Sequence, residues 1–154
     1  MTQYDRIGRA WLLLSLAFAA HAYEEATSGF LPIYNQTVLE VVSALPWLPV
    51  RPLRHRQWIS RLGFGLGLLL GLSPGVFRGA RWARPAAYTL SLIMGSNAAL
   101  HFVGTLRGRT VSAVQFQRPM SGFYTSPLLL LAATNMLTAL GAGPKGGTSV
   151  HSVD

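Results

Sequence analysis

The chain has 154 residues, half of them hydrophobic and only 12% charged, with a formal net charge of +8 and no cysteine. That charged fraction is about half the roughly 25% of soluble domains, which points to a membrane protein of one domain. The missing thiols exclude a disulfide framework, an iron–sulfur cluster and a thiolate metal site. The positive charge does not read as a nucleic-acid surface, because the arginines fall in short clusters between apolar runs, as in membrane loops facing headgroups.

Four apolar runs follow in chain order, each near the roughly 20 residues that span hydrocarbon. The first covers residues 8–30 and includes His21-Ala-Tyr-Glu24-Glu25. Arg6 and Arg9 before it, and the small-x-small form of Ala20-His21-Ala22, also imitate a secretory signal. Cleavage there would discard His21, and the polar face of this helix argues for retention.

The long connection after it carries Pro32, Pro46, Pro49 and Pro52 around an apolar stretch at residues 38–50. It reads as a short interfacial helix plus an irregular loop, ending in the basic cluster Arg51, Arg54, His55, Arg56 and Arg61. The second span, residues 58–77, is rich in glycine (Gly63, Gly65, Gly67, Gly71), which reads as packing between helices rather than as a phosphate loop. The third covers residues 85–106. The fourth covers 124–141, with Thr125 and Ser126 as cap-type hydroxyls at its start. Residues 143–154, including His151, are Gly/Ser-rich and read as a disordered tail. The expected fold is therefore all-α: an integral membrane four-helix bundle over residues 1–142 with a short interfacial segment in the first loop, multi-pass and of bacterial inner-membrane type. Basic residues divide six against seven between the two sides, so the orientation is undetermined.

Two carboxylates in a spanning segment cost about 2.5–3.5 kcal/mol each, so Glu24 and Glu25 need a proton, a cation or a metal. His21, Glu24 and Glu25 stand at i, i+3 and i+4 and share a helix face; Asn97 and His101 form a second i, i+4 pair on the third span. Measured from Arg9, Glu24 lies about 22 Å along its helix, and measured from Arg84, Asn97 and His101 lie about 20–26 Å along theirs. In an up-down bundle the two stripes fall at one depth, on the side that receives the basic cluster.

Two imidazoles and two carboxylates suit zinc, iron or manganese. A two-metal carboxylate centre would be short of ligands, so one divalent metal is the better fit. The metal set is His21, Glu24, Glu25 and His101, with Glu25 also available as general base and Asn97 orienting a substrate oxygen. Without metal, the same groups suit acid–base chemistry.

His-x-x-Glu-Glu at residues 21–25 and Asn-x-x-x-His at 97–101, in this order in a small multi-span chain, resemble the HXXEE family of integral membrane proteins. The family's third motif is Tyr-x-Pro-Gly. This chain departs from it, with Pro119 and Gly122 separated by two residues inside Phe116-Gln-Arg-Pro-Met-Ser-Gly-Phe-Tyr-Thr125. The resemblance implies the same five residues and a metal-dependent or acid–base membrane enzyme, but no particular reaction.

The expected function is a membrane-embedded enzyme acting on a lipid or another hydrophobic or anionic small molecule, with no nucleic-acid partner. The alternative is a non-catalytic subunit of a larger membrane complex, with the histidines bonding the glutamates or holding a pigment or haem. A proton relay through Glu24 and Glu25 would need a continuous polar path, and Ser15, Ser91 and Ser96 are too sparse to supply one.

Overall fold

Along the first apolar run, residues at helical spacing turn inward: Ile7, Trp11, Leu14, Ala17, His21 and Glu25 are all buried. This stripe makes the helix the centre of the molecule. The computed structural model describes residues 2–110 and 113–142 and contains five helices. They are α1 (Gln3–Thr27), α2 (Phe30–Ala44), α3 (His55–Phe77), α4 (Ala83–Arg107) and α5 (Ser126–Gly141). No strand occurs among the described residues, where Arg109 and Gln115 form one isolated bridge. The predicted tail at 143–154 lies outside the described residues.

Helix α1 packs against α3 on one side and α5 on the other, and α5 packs in turn against α4. Directions follow from contacts at the two ends. At one end Gln3 and Arg6 donate to the carbonyl of Ala142, Arg84 donates to that of Leu140, and Trp11 meets Trp82 edge-on. At the other, Glu24 and Glu25 of α1 meet the start of α5 and His101 of α4. So α1 and α4 run parallel, with α3 and α5 antiparallel to them. The arginine contacts at Leu140 and Ala142 also satisfy carbonyls that the end of α5 leaves without an intrahelical partner.

The elements differ from expectation in three places. First, α1 starts earlier, because Thr2 and Asp5 form a reciprocal capping box, and it ends earlier, at Thr27. Gly29, at φ +82°, then makes the left-handed turn into α2. Second, the segment expected as a short interfacial helix near residues 38–50 is a 15-residue helix beginning at Phe30. Pro32 is its third residue, in the first turn, where a missing N–H breaks no helical hydrogen bond. Asn35 then clamps the following irregular segment, accepting from the Leu53 N–H at 2.8 Å and donating to its carbonyl at 2.9 Å.

The third difference concerns the glycines of α3. Gly65 faces Phe18, but among the described residues no atom from another element lies within 4 Å of where a Cβ on Gly63, Gly67 or Gly71 would stand.

Helices α3 and α4 are long and apolar enough to cross a membrane. Their outward faces fit that. On α4 the inward residues are mostly small (Ala83, Ala87, Ser91, Ala98, Gly104, beside Met94 and His101), while large apolar ones (Leu92, Ile93, Leu100, Leu106) point outward. Small residues at helix contacts and bulky ones outside is the pattern of helices packed in lipid. Buried hydroxyls are satisfied locally: Ser15 donates to the Trp11 carbonyl at 2.8 Å and Ser91 to that of Ala87 at 2.7 Å.

Candidate metal centre

The i, i+4 spacing in α1 puts His21 and Glu25 one turn apart on its buried face. The same spacing in α4 aligns Asn97 and His101 beside them. Because the two helices run parallel, the stripes meet rung to rung. Asn97 Nδ2 lies 2.9 Å from His21 Nε2, and His101 Nε2 lies 3.1 Å from Glu25 Oε1. The same Glu25 oxygen is 3.4 Å from His21 Nε2. His21 and His101 are each 1% exposed and Glu25 5%, and their ligand-type atoms all lie within 4.8 Å of one another. Such a group can hold a metal ion.

Glu24 does not join them. Consecutive helix residues point about 100° apart, so the two glutamates cannot both face His101. Glu24 turns to the loop before α5, where its carboxylate accepts from the backbone N–H groups of Gly122, Tyr124 and Thr125 at 3.1, 3.1 and 2.8 Å. It also accepts from the Thr125 hydroxyl at 2.6 Å. Its expected place among the metal ligands is thus taken by Glu25 alone, and Glu24 is the anchor of the loop. Thr125 does not cap α5 with its side chain either.

These bonds orient His21. A carboxylate only accepts, so the single Thr125 proton goes to Glu24. The Thr125 oxygen, 3.0 Å from His21 Nδ1, is then the acceptor of an Nδ1–H. In neutral His21 this leaves a lone pair on Nε2, where Asn97 donates its amide. A carboxylate–hydroxyl chain behind an imidazole, fixing which nitrogen is free, is the outer support that metal-ligating histidines carry.

The chain matches no family model, no curated protein and no solved structure. The chemistry of the cluster stands on its geometry.

Zinc ligands bonded at about 2.0–2.1 Å in tetrahedral array lie roughly 3.3 Å from each other. Two of the three donor separations here, Glu25–His21 at 3.4 Å and Glu25–His101 at 3.1 Å, are near that spacing, and the set as a whole lies within 4.8 Å. Expectation also missed two residues. Thr125 is the partner of His21, and Gly122 forms the wall against both imidazoles: a Cβ there would stand 2.7 Å from His101 Cε1 and 2.9 Å from His21 Cε1. Both lie in the segment that departs from the Tyr-x-Pro-Gly pattern, which was the available signal.

No polar path leads from the cluster toward the other end of the bundle through Ser15 or Ser91, since each hydroxyl is turned back onto its own helix.

Proposed function

We propose that this chain is a membrane-embedded enzyme that binds one divalent metal through His21, Glu25 and His101 and acts on a lipid or other hydrophobic small molecule. The observation that carries the metal is the convergence of one ligand atom each from His21, Glu25 and His101, all buried, within 4.8 Å of one another. Asn97 donates to His21 Nε2 at 2.9 Å, so an ion taking that lone pair would displace the amide, and its charge would offset that of the buried Glu25 carboxylate. The resemblance to the HXXEE family agrees with this choice of residues.

A metal here would polarise a substrate oxygen or lower the pKa of a bound water. Glu25 has one oxygen engaged by the imidazoles and a second to accept a proton. Asn97 bonds His21 Nε2 in the metal-free arrangement, and its amide, released from that nitrogen by an ion, would be available to a substrate oxygen. The membrane setting rests on the outward apolar faces of α3 and α4.

Elemental analysis of detergent-purified protein tests the site. One zinc, iron or manganese per chain is expected in the wild type and in Glu24→Gln, and none in Glu25→Gln or His101→Ala. Metal retained in both of the last two variants sinks the assignment. Absence of metal from all four transfers the reading to acid–base chemistry, with Glu25 orienting His101 through Nε2 and leaving Nδ1 as the base.

A second reading, a subunit of a larger membrane complex, draws on the unpartnered face of Gly63, Gly67 and Gly71, a spacing that lets apolar helices approach closely. A Gly67→Leu change that lowers the mass of the solubilised particle would favour it. A haem held between both histidines fits poorly: the His21 and His101 rings are in edge-to-face contact at 4.8 Å, with no gap between them for a macrocycle.

A further inference from the structure

A cavity of about 120 Å³ opens beside the cluster, between α2, α4 and the segment after α4. Its walls are mostly apolar, including Phe30, Ile33, Leu100 and Met120, and His101 and Asn97 contribute to them. The volume is a little under the roughly 150 Å³ of an engineered apolar cavity that takes benzene. The cavity therefore suits one ring or a short alkyl segment, not a whole lipid tail.

Arg107 and Arg109 also line it. They lie six and eight residues past His101, so Arg107 is on the order of 9 Å further along the axis of α4. A third guanidinium closes over the residue between them: a Cβ on Gly108 would stand 2.8 Å from Arg118 Nε. The described residues place no carboxylate within 4.0 Å of any of the three, the carboxylate pairings there being those of Glu25 with the two histidines. Three cations gathered without a counter-charge at the mouth of an apolar cavity are complementary to an anion joined to an apolar body. Guanidinium groups recognise phosphate and carboxylate through paired N–H donors. The location agrees, since this is the end of the bundle where α4 stops and a headgroup region would begin.

Resting on the reading of the cluster as a reaction centre, we infer that its substrate is an anionic amphiphile. The phosphate or carboxylate is held by Arg107 and Arg109, with Arg118 beside them. The adjoining apolar segment enters the cavity, and the reacting atom lies at His101, which shares the cavity wall with both arginines. This specifies more than a hydrophobic substrate: it fixes the sign of the headgroup.

Octyl phosphate, octanol and inorganic phosphate are the probes, titrated into full-length protein in neutral detergent. Binding is read from tryptophan fluorescence, because Trp58 packs on Phe30 and Tyr34, both in the cavity wall. Octyl phosphate is expected to bind saturably. The Arg107→Ala/Arg109→Ala variant should weaken it by about tenfold or more, the loss expected for charge-assisted bonds, and leave octanol unchanged. Ile33→Phe, which fills the cavity, should weaken octyl phosphate and octanol alike.

Equal binding of octanol and octyl phosphate, or no effect of the arginine pair, overturns the anion. Inorganic phosphate competing as well as octyl phosphate, or no effect of Ile33→Phe, overturns the cavity. Metal content measured on the same preparation separates the two proposals. Metal without octyl phosphate binding removes only this inference, and octyl phosphate binding without metal removes only the metal reading of the cluster.

Discussion

Gly122 approaches His101 so closely that a Cβ on it would stand 2.8 Å from the imidazole Nδ1. It also holds φ at +88°, a conformation that L side chains rarely adopt. Gly122→Ala therefore meets two penalties, about 1–2 kcal/mol for the left-handed backbone and about 1–3 kcal/mol for overpacking. Because the crowded atoms belong to the two histidines, the expected result is loss of metal from a protein that still purifies as an intact helical particle. Elemental analysis beside circular dichroism checks this; normal metal content would mean that the histidines are not confined by this wall.

Thr125 supplies a subtler test. Thr125→Val keeps the shape but removes the acceptor of the His21 Nδ1–H, while Thr125→Ser keeps the hydroxyl. Loss of such outer support typically lowers metal affinity about 10–100-fold. A competition titration against a chelator should show that drop for valine and little change for serine. Equal affinities would remove Thr125 from the support of the site.

The two adjacent glutamates should separate by phenotype. Glu24→Ala strips the acceptor from three backbone N–H groups and a hydroxyl. The site is half open to solvent, so the expected destabilisation is on the order of 2 kcal/mol, within the range for bonds to a charged group. Limited proteolysis should then find new cleavage between residues 120 and 126. Glu25→Gln should leave that segment resistant and empty the metal site. Identical behaviour of the two variants would contradict the division of labour between them.

Membrane insertion has its own test. Leu92 is 60% exposed in the middle of α4. Arginine there should be harmless on a water-facing surface but costs about 2.5–3.5 kcal/mol at the centre of a spanning helix. After alkaline carbonate extraction, wild type and Leu92→Ala should stay in the membrane pellet and Leu92→Arg should be depleted from it. Wild type in the supernatant would refute insertion.

Much of this architecture is legible in the residue pattern. Apolar runs locate α1, α3, α4 and α5 to within a few residues, and the i, i+4 spacings, with equal depths from Arg9 and Arg84, bring residues 21–25 to 97–101. The remainder depends on contacts between segments distant in the chain. Spacing alone does not decide which of Glu24 and Glu25 faces α4, because that is set by the azimuth of α1 between α3 and α5. Gly122 and Thr125 sit in a non-periodic loop whose partners lie about a hundred residues earlier. The prolines hid α2, since only their position within the first turn, not their number, decides whether a helix can form.

The edge contact of Trp11 with Trp82 at one end and the Glu25–His101 contact at the other make α1 and α4 two rulers read against each other. One residue added to α1 between these marks would rotate everything beyond it by about 100° and advance it by about 1.5 Å, carrying His21 and Glu25 off the rungs of α4. Two such errors would not cancel unless they fell in both rulers at once. Point changes can therefore accumulate along these helices, but length changes between the marks cannot. Insertions and deletions should be tolerated only in the connecting segments, and the distance from the tryptophan pair to the cluster should stay constant wherever this arrangement is built.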